Sequence, residues 1–274
     1  SILGVSVAQI SLLINTVFAS FLAVGSVSWL YYADRLIEFP VGVLGVALST
    51  VLLPSLSRSL ANNKKYEYSS LINWGIKLGI LTAAPASAAL VILSIPLITT
   101  LFFYGAFQET DVLMTHNALI AYSVGLIGLI QIKIIAPAFY AQQNVKTPVK
   151  IAIFTLFCTQ FMNLIFISIF QHAGLALAIG LGACINAGLL FFFLQKSKLF
   201  KLDSNIFKFI FKVLISASIM SVVLFYFKGS TEDWLNYSAT SRVGNLLFLI
   251  FTGTLVYFIS LKCCGIKLTK FFKK

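Results

Sequence analysis

Three charged residues stand close together in an otherwise apolar stretch of the sequence: Asp34, Arg35 and Glu38. On a helix, Asp34 and Glu38 share one face, and Arg35 lies within one turn of both. Charges at membrane depth cost on the order of 2.5–3.5 kcal/mol each and usually face a bundle interior or a water-filled cavity. An arginine can hold a phosphate through two parallel hydrogen bonds. The segment therefore predicts the wall of a cavity for an anionic cargo, in which both carboxylates hold Arg35 in place.

Two further residues belong to this hypothesis, Lys133 and Pro40. Lys133 lies deep in a later apolar run, where it predicts a second cation in the cavity. The alternative, for Lys133 and Arg35 alike, is a side chain that reaches out to a membrane surface, with Arg35 in an interfacial ion pair. Pro40 follows the charged segment directly and removes a backbone donor, so we expect it to act as a hinge.

The sequence indicates no other chemistry. His116 and His172 are isolated, and the four cysteines form no Cys-x-x-Cys pair. No zinc-protease, nucleophile-elbow or phosphate-loop motif occurs. We therefore predict no catalytic residue, no metal site, no cofactor and no enzymatic activity, and the coupling ion stays open.

The composition indicates which elements must position these side chains. Of 274 residues, 59% are hydrophobic and only 10% are charged, and the mean hydropathy is +0.97. Soluble domains carry about 25% charged residues, so a disordered chain, a nucleic-acid-binding domain and a secreted disulfide scaffold are excluded. Because a span needs about 20 mostly apolar residues, we predict an all-α, polytopic transmembrane bundle. Its eight spans are residues 2–24, 27–56, 71–104, 113–140, 148–170, 175–194, 206–227 and 246–261. Bends are expected at the prolines of the second, third and fourth spans: Pro40, Pro85, Pro96 and Pro137.

The 20 lysines and arginines predict the orientation of these spans. Most of them follow the second, fourth, sixth and eighth spans, whereas the other connections carry mainly acidic residues. By the positive-inside rule the C-terminus is then cytoplasmic. The net charge of +12 reflects this topology and attraction to anionic membrane lipids, and no nucleic-acid partner is expected. Residues 266–274 alternate lysine with leucine or phenylalanine, which predicts a basic amphipathic tail on the lipid surface.

The charged segment also belongs to a longer recognisable pattern. The run 29–40, Trp-Leu-Tyr-Tyr-Ala-Asp-Arg-Leu-Ile-Glu-Phe-Pro, with 42–48, 53–57, 118–128 and 146–150, resembles the MurJ (MviN) lipid II flippases of bacteria. The resemblance implies membership of the MOP exporter superfamily. Flippases of this family have fourteen helices, in two six-helix lobes plus two extra helices. The eight spans would be helices seven to fourteen, so we expect the first lobe to be missing. Residues 1–196 would form one lobe. Residues 197–274 would form the two extra helices and the basic C-terminal tail, and the two helices would shape a groove for the lipid's hydrocarbon chain.

The resemblance also implies a function, the transfer of lipid II, an undecaprenyl-pyrophosphate-linked peptidoglycan precursor, across the bacterial inner membrane by alternating access. The expected partners are lipid II, anionic lipids and the missing N-terminal lobe. Some family members bind sodium in this lobe, but the comparable positions here, Asn15, Thr159 and Asn163, hold no carboxylate, which argues against a sodium site. The alternatives are another superfamily exporter, of lipid-linked oligosaccharide or of cationic drugs, a membrane enzyme acting on polyprenyl phosphates, and a scaffold that does not transport.

Overall fold

The described part of the chain is helical from end to end. A computed structural model describes residues 2–266, with side chains from residue 9 onward. It contains no strand within that range, and the predicted tail at 267–274 lies outside the described residues. The helices are α1 (Ile2–Ser20), α2 (Ser26–Pro40), a π-helical segment (Val41–Val46), α3 (Ala47–Ala61), α4 (Lys65–Ile92), α5 (Ser94–Phe102), α6 (Glu109–Ser123), α7 (Leu126–Ala141), α8 (Lys146–Phe170), α9 (His172–Lys196), α10 (Ile206–Phe227), α11 (Thr231–Asn236) and α12 (Ala239–Cys263).

The predicted transmembrane bundle is confirmed, with differences in its helices. Six described helices are long and apolar enough to cross a membrane, or seven if the bent pair α6–α7 forms one span. The remaining predicted span corresponds to α1, whose described apolar part is the shorter helix Gln9–Ser20. The third predicted span is divided into α4 and α5, and α11 is a short helix that was not predicted. The chain is a multi-pass membrane protein.

The expected link between prolines and bends holds only in part. The π-helical segment begins directly after Pro40, and the break between α4 and α5 lies just before Pro96. However, α4 is unbroken at Pro85 and α7 at Pro137. The fourth span instead bends by 42° between Ser123 and Leu126. Packing explains this position, because Gly125 lies directly against the backbone of Gly180 in α9, closer than any larger residue could approach.

Two apolar cores hold the helices together. The larger core joins residues from α1 to α9 and includes the fully buried Tyr68, Ile98 and Leu175. The smaller core packs α10 and α12 against α4, where Leu81 and Ala84 contribute. Since both cores pack against α4, its second half, from residue 78 to residue 92, carries no charged residue and is not amphipathic.

Contacts between connections define two opposite ends of the bundle. At one end, which we call the basic end, the hydroxyl of Tyr68 donates to the carbonyl of Ala138 at 2.7 Å, so α4 begins where α7 finishes. At the opposite end, the indole N–H of Trp29 donates to Asp111 at 2.7 Å, and the ring of His172 lies 5.1 Å from that of Trp29. The connections α3–α4, α7–α8 and α9–α10 meet at the basic end, as the alternating charge pattern predicts.

Candidate functional site

The candidate site lies along a single interrupted helix. The segments α2, π and α3 form one apolar stretch of 36 residues, Ser26–Ala61. Pro40 has no N–H to complete the helical hydrogen-bond ladder, and the wider π turn follows it immediately. Single π turns inside α-helices are frequent at functional sites. The local sequence thus places an irregular turn directly after the three charged residues.

Arg35 and Glu38 form an ion pair on the exposed side of this helix. Arg35 Nη1 lies 2.5 Å from Glu38 Oε2, and the two side chains are 53% and 56% exposed. The guanidinium also lies over the ring of Tyr31, 4.7 Å from its centroid. The contact fits the three-residue spacing, which brings side chains together on one helix face. The arginine is therefore oriented by its neighbours but keeps an open side.

Asp34 forms no ion pair with Arg35 within the described residues. Glu38 is the carboxylate that pairs with Arg35 within the described residues. Asp34 lines an open cavity of about 330 Å³ between α1, α2 and α6, together with Asn15 and Thr16 of α1 and Tyr122 of α6. The reason is geometric, because consecutive helix residues point about 100° apart.

Lys133 lies beside the π-helical segment. Its side chain is exposed, and its aliphatic stem packs on Gly45, where an added Cβ would lie 3.1 Å from Lys133 Cγ. Ten residues of helix, about 15 Å, separate Gly45 from Arg35. The structure therefore places Lys133 next to the irregular turn and not in the Arg35 cluster.

The predicted neutral positions of the lobe interior do come together. Asn163 is fully buried and donates to Asn15 Oδ1 at 2.8 Å and to Gln160 Oε1 at 3.0 Å. Thr159 is buried one helical turn away and faces Gly182 of α9. Amides that bind each other in this way already satisfy part of their hydrogen-bonding capacity without an ion.

Sequence reasoning missed two long-range contacts. Lys77, which lies within the third predicted span, pairs with Asp203 in the α9–α10 connection. Arg242, which precedes the eighth predicted span, is only 6% exposed and donates to backbone carbonyls of the α5 and α11 regions. Asp203 and the α5 carbonyls lie more than 120 residues away from Lys77 and Arg242, so no local pattern could have identified these partners. The hydrogen bond from Lys77 lowers the pKa of Asp203 below its ordinary value of 3.8.

Comparison with known proteins places these features in a family. A family profile described as "Lipid II flippase MurJ" matches residues 1–244. The chain is 43% identical over 274 residues to a probable lipid II flippase MurJ from Buchnera aphidicola subsp. Schizaphis graminum, covering 100% of this chain and 53% of that protein. It is 44% identical over 270 residues to the lipid II flippase MurJ of Burkholderia cenocepacia, covering 98% and 52%. The chain thus spans about half the length of the curated relatives it matches.

Solved structures agree with this match. A lipid II flippase MurJ in an inward closed conformation superposes with a TM-score of 0.78 at 28% identity, over 93% of this chain and 50% of that one. An outward-facing MATE transporter of the MOP superfamily gives a TM-score of 0.61 at 14% identity, over 96% and 62%. The second likeness concerns the fold alone.

Proposed function

Since the chain belongs to the MurJ family of lipid II flippases, we propose that the protein moves lipid II across the bacterial inner membrane by alternating access. The family is named for the transport of a lipid and not for a chemical reaction. The cargo is an undecaprenyl-pyrophosphate glycolipid. Its headgroup requires a hydrated, cationic cavity, and its tail can stay in an apolar groove.

The observation that carries the proposal is the exposed Arg35–Glu38 pair on a membrane-spanning helix. A charge this costly is kept in a span where it faces water or a polar ligand. The planar guanidinium suits a phosphate, since it can offer two parallel hydrogen bonds. Glu38 holds the guanidinium in one orientation and can release it when an anionic headgroup arrives. Lys133 adds a second positive charge beside the π turn, and Pro40 with that turn acts as the hinge.

The remaining parts of the transporter follow from the same proposal. Because the chain spans about half of its relatives, the opposite wall of the cavity would come from a first lobe comparable to the other half of those proteins. Helices α10 and α12 would shape the groove for the lipid tail. The basic end would lie in the cytoplasm, together with the C-terminus, where lysines meet anionic lipids. We propose no resident cofactor and no sodium ion at the Asn15–Asn163 pair.

The orientation can be tested with single cysteines in two connections. One cysteine replaces Asn62 at the basic end, and the other replaces Ser238 at the opposite end. In intact spheroplasts, a membrane-impermeant thiol reagent should label the second position only. Labelling of the first position alone would reverse the orientation.

Complementation tests the role of Arg35. Full-length protein carrying Arg35→Ala should not rescue a flippase-depleted bacterium. Arg35→Lys should rescue poorly, because the lysine ammonium cannot offer the two parallel hydrogen bonds of a guanidinium. Arg58→Ala is the matched control, since Arg58 is an exposed arginine at the end of α3. Membrane abundance is measured by blot for each variant. Normal growth of Arg35→Ala at normal abundance would contradict the proposal and favour the interfacial ion pair.

A further inference from the structure

A second polar cavity lies at the basic end, away from the charged segment of α2. It has a volume of about 510 Å³ and is formed between the start of α4 and the connection from α9 to α10. We call it the basic-end cavity. Its polar lining comes from both elements: Lys65, Tyr66, Ser69, Ser70, Asn73, Lys198, Lys201 and Asp203.

Hydrogen bonds fix the shape of this cavity. The Asn73 side chain donates to the carbonyl of Lys201 at 2.8 Å and accepts from the backbone N–H of Asp203 at 3.0 Å. Ser69 accepts from the N–H of Lys201 at 3.0 Å, and Lys77 pairs with the Asp203 carboxylate. The connection is therefore held against α4 at successive turns, and its lysines project from a fixed backbone.

The cavity carries a net positive charge. Lys65, Lys198 and Lys201 are exposed, and no ion pair involves them among the described residues. The nearest carboxylates are already engaged, Asp203 by Lys77 and Glu67 by Lys64 at 3.3 Å. In addition, the first turn of α4 has no side-chain cap, so its amide groups add positive potential at the same place.

We propose that the basic-end cavity binds the phosphate headgroup of an anionic phospholipid. Basic pockets between membrane helices at this depth suit such headgroups. A lipid fits better than a free anion, because the cavity lies where apolar spans end and exposed aromatic side chains occur in its lining and in the helix that follows the connection. Tyr66 at its rim is 89% exposed, and Phe207 and Phe211 in the first turns of α10 are 73% and 66% exposed. The bound lipid would join α4 to the α9–α10 connection, a role separate from cargo transport.

Native mass spectrometry can test this site without cargo. The protein is delipidated in a non-ionic detergent and mixed with phosphatidylglycerol or phosphatidylcholine. We expect bound phosphatidylglycerol on the unmodified protein and affinity weaker by about tenfold or more in K65Q/K198Q/K201Q, since each lysine near the phosphate contributes. The matched control is K146Q/K150Q/K262Q, which removes three exposed lysines of the same end from outside the cavity. The control should bind phosphatidylglycerol like the unmodified protein.

Three results would overturn the proposal. Equal loss of phosphatidylglycerol binding in both triple variants would mean diffuse attraction to positive charge. Undiminished binding by K65Q/K198Q/K201Q would show that the lipid does not bind in this cavity. Displacement of phosphatidylglycerol by millimolar inorganic phosphate would assign the cavity to a soluble anion. Gel filtration and thermal unfolding check that the variants are folded. If the triple variant fails this check, Lys198→Gln in the exposed connection replaces it, with weaker phosphatidylglycerol binding and unchanged phosphatidylcholine binding expected.

Discussion

Arg35 combines a fixed orientation with an open face. Tyr31 lies under its guanidinium and Glu38 binds Nη1, while the Arg35 side chain stays 53% exposed. This arrangement keeps an arginine charged and ordered without burying it. A ligand phosphate would then meet a donor that is already in position, which reduces the entropy lost on binding.

Glu38→Gln should separate a positioning role from a structural one. Exposed ion pairs contribute little to stability, so thermal unfolding of the purified protein should change by no more than about 2 °C. Complementation should nevertheless weaken, because Arg35 loses the carboxylate that orients it. Asp34→Asn is the comparison variant, since Asp34 lines the cavity between α1, α2 and α6 and does not pair with Arg35. A marked fall in unfolding temperature for Glu38→Gln would show that the pair is mainly structural.

Local spacing explains which residue contacts were predictable. Arg35 and Glu38 are three residues apart on a helix, and the pair follows from that spacing. Asp34 forms no ion pair with Arg35 among the described residues, because neighbouring helix positions face different directions. The Lys77–Asp203 and Arg242 contacts join residues that are distant in the chain. Only the packing of the helices determines such partners.

At the scale of elements, close approach of helices fixes the bend between α6 and α7. Gly125 and Gly180 meet backbone to backbone, and an added Cβ at Gly128 would also collide with the backbone of α9, 2.6 Å from the nitrogen of Cys184. A proline removes one backbone hydrogen bond of a helix. The contact between Gly125 and Gly180, in contrast, determines where two helices cross. The order of the apolar segments could be read from their length. The bend could not, since it depends on which glycines face a neighbour.

Gly125→Ala should therefore destabilise the protein. The new methyl group would collide with the Gly180 backbone, which cannot move aside like a flexible side chain. We expect a loss of about 1–3 kcal/mol in the free energy of unfolding. Gly188→Ala is the control, because an added Cβ at this position of α9 meets nothing within 4 Å. Denaturant unfolding in detergent measures both, and similar stability of the two variants would contradict the interpretation.

The contact between α4 and the α9–α10 connection should depend on pH only under acidic conditions. Lys77 lowers the pKa of Asp203 below 3.8, so the folded state binds the proton more weakly than the unfolded state. The stabilisation is thus fully present above about pH 4 and is lost as the pH falls through the lower, folded value. Asp203→Asn should reduce the unfolding temperature by a constant amount between pH 5 and 8. A difference that changes within this range would point to another titrating group.

At the scale of the whole molecule, α10 and α12 are fastened to the larger bundle at both ends. The Asp203 contact holds the chain just before α10 at the basic end. Between the ends, Tyr257 of α12 donates to the Leu81 carbonyl of α4 at 2.6 Å. Arg242 holds the start of α12 at the opposite end. In the proposed transport cycle, a groove bounded by these helices would therefore move with α4 and α5, not as a separate unit.

Substitution of Arg242 tests the attachment of α12 to the larger bundle. Its guanidinium donates to the carbonyls of Trp234, Leu235, Thr99 and Phe103 at 2.9–3.3 Å and lies 4.8 Å from the Phe103 ring centroid. Arg242→Ala would leave several carbonyls without a donor, at a cost on the order of 3 kcal/mol. Hydrogen–deuterium exchange should then increase in residues 228–245 and 99–107 while the core of α7 stays protected. Arg58→Ala, at an exposed site, should leave both segments unchanged. Uniform exchange across the protein after Arg242→Ala would mean that the whole bundle, and not only the attachment of α12, depends on this arginine.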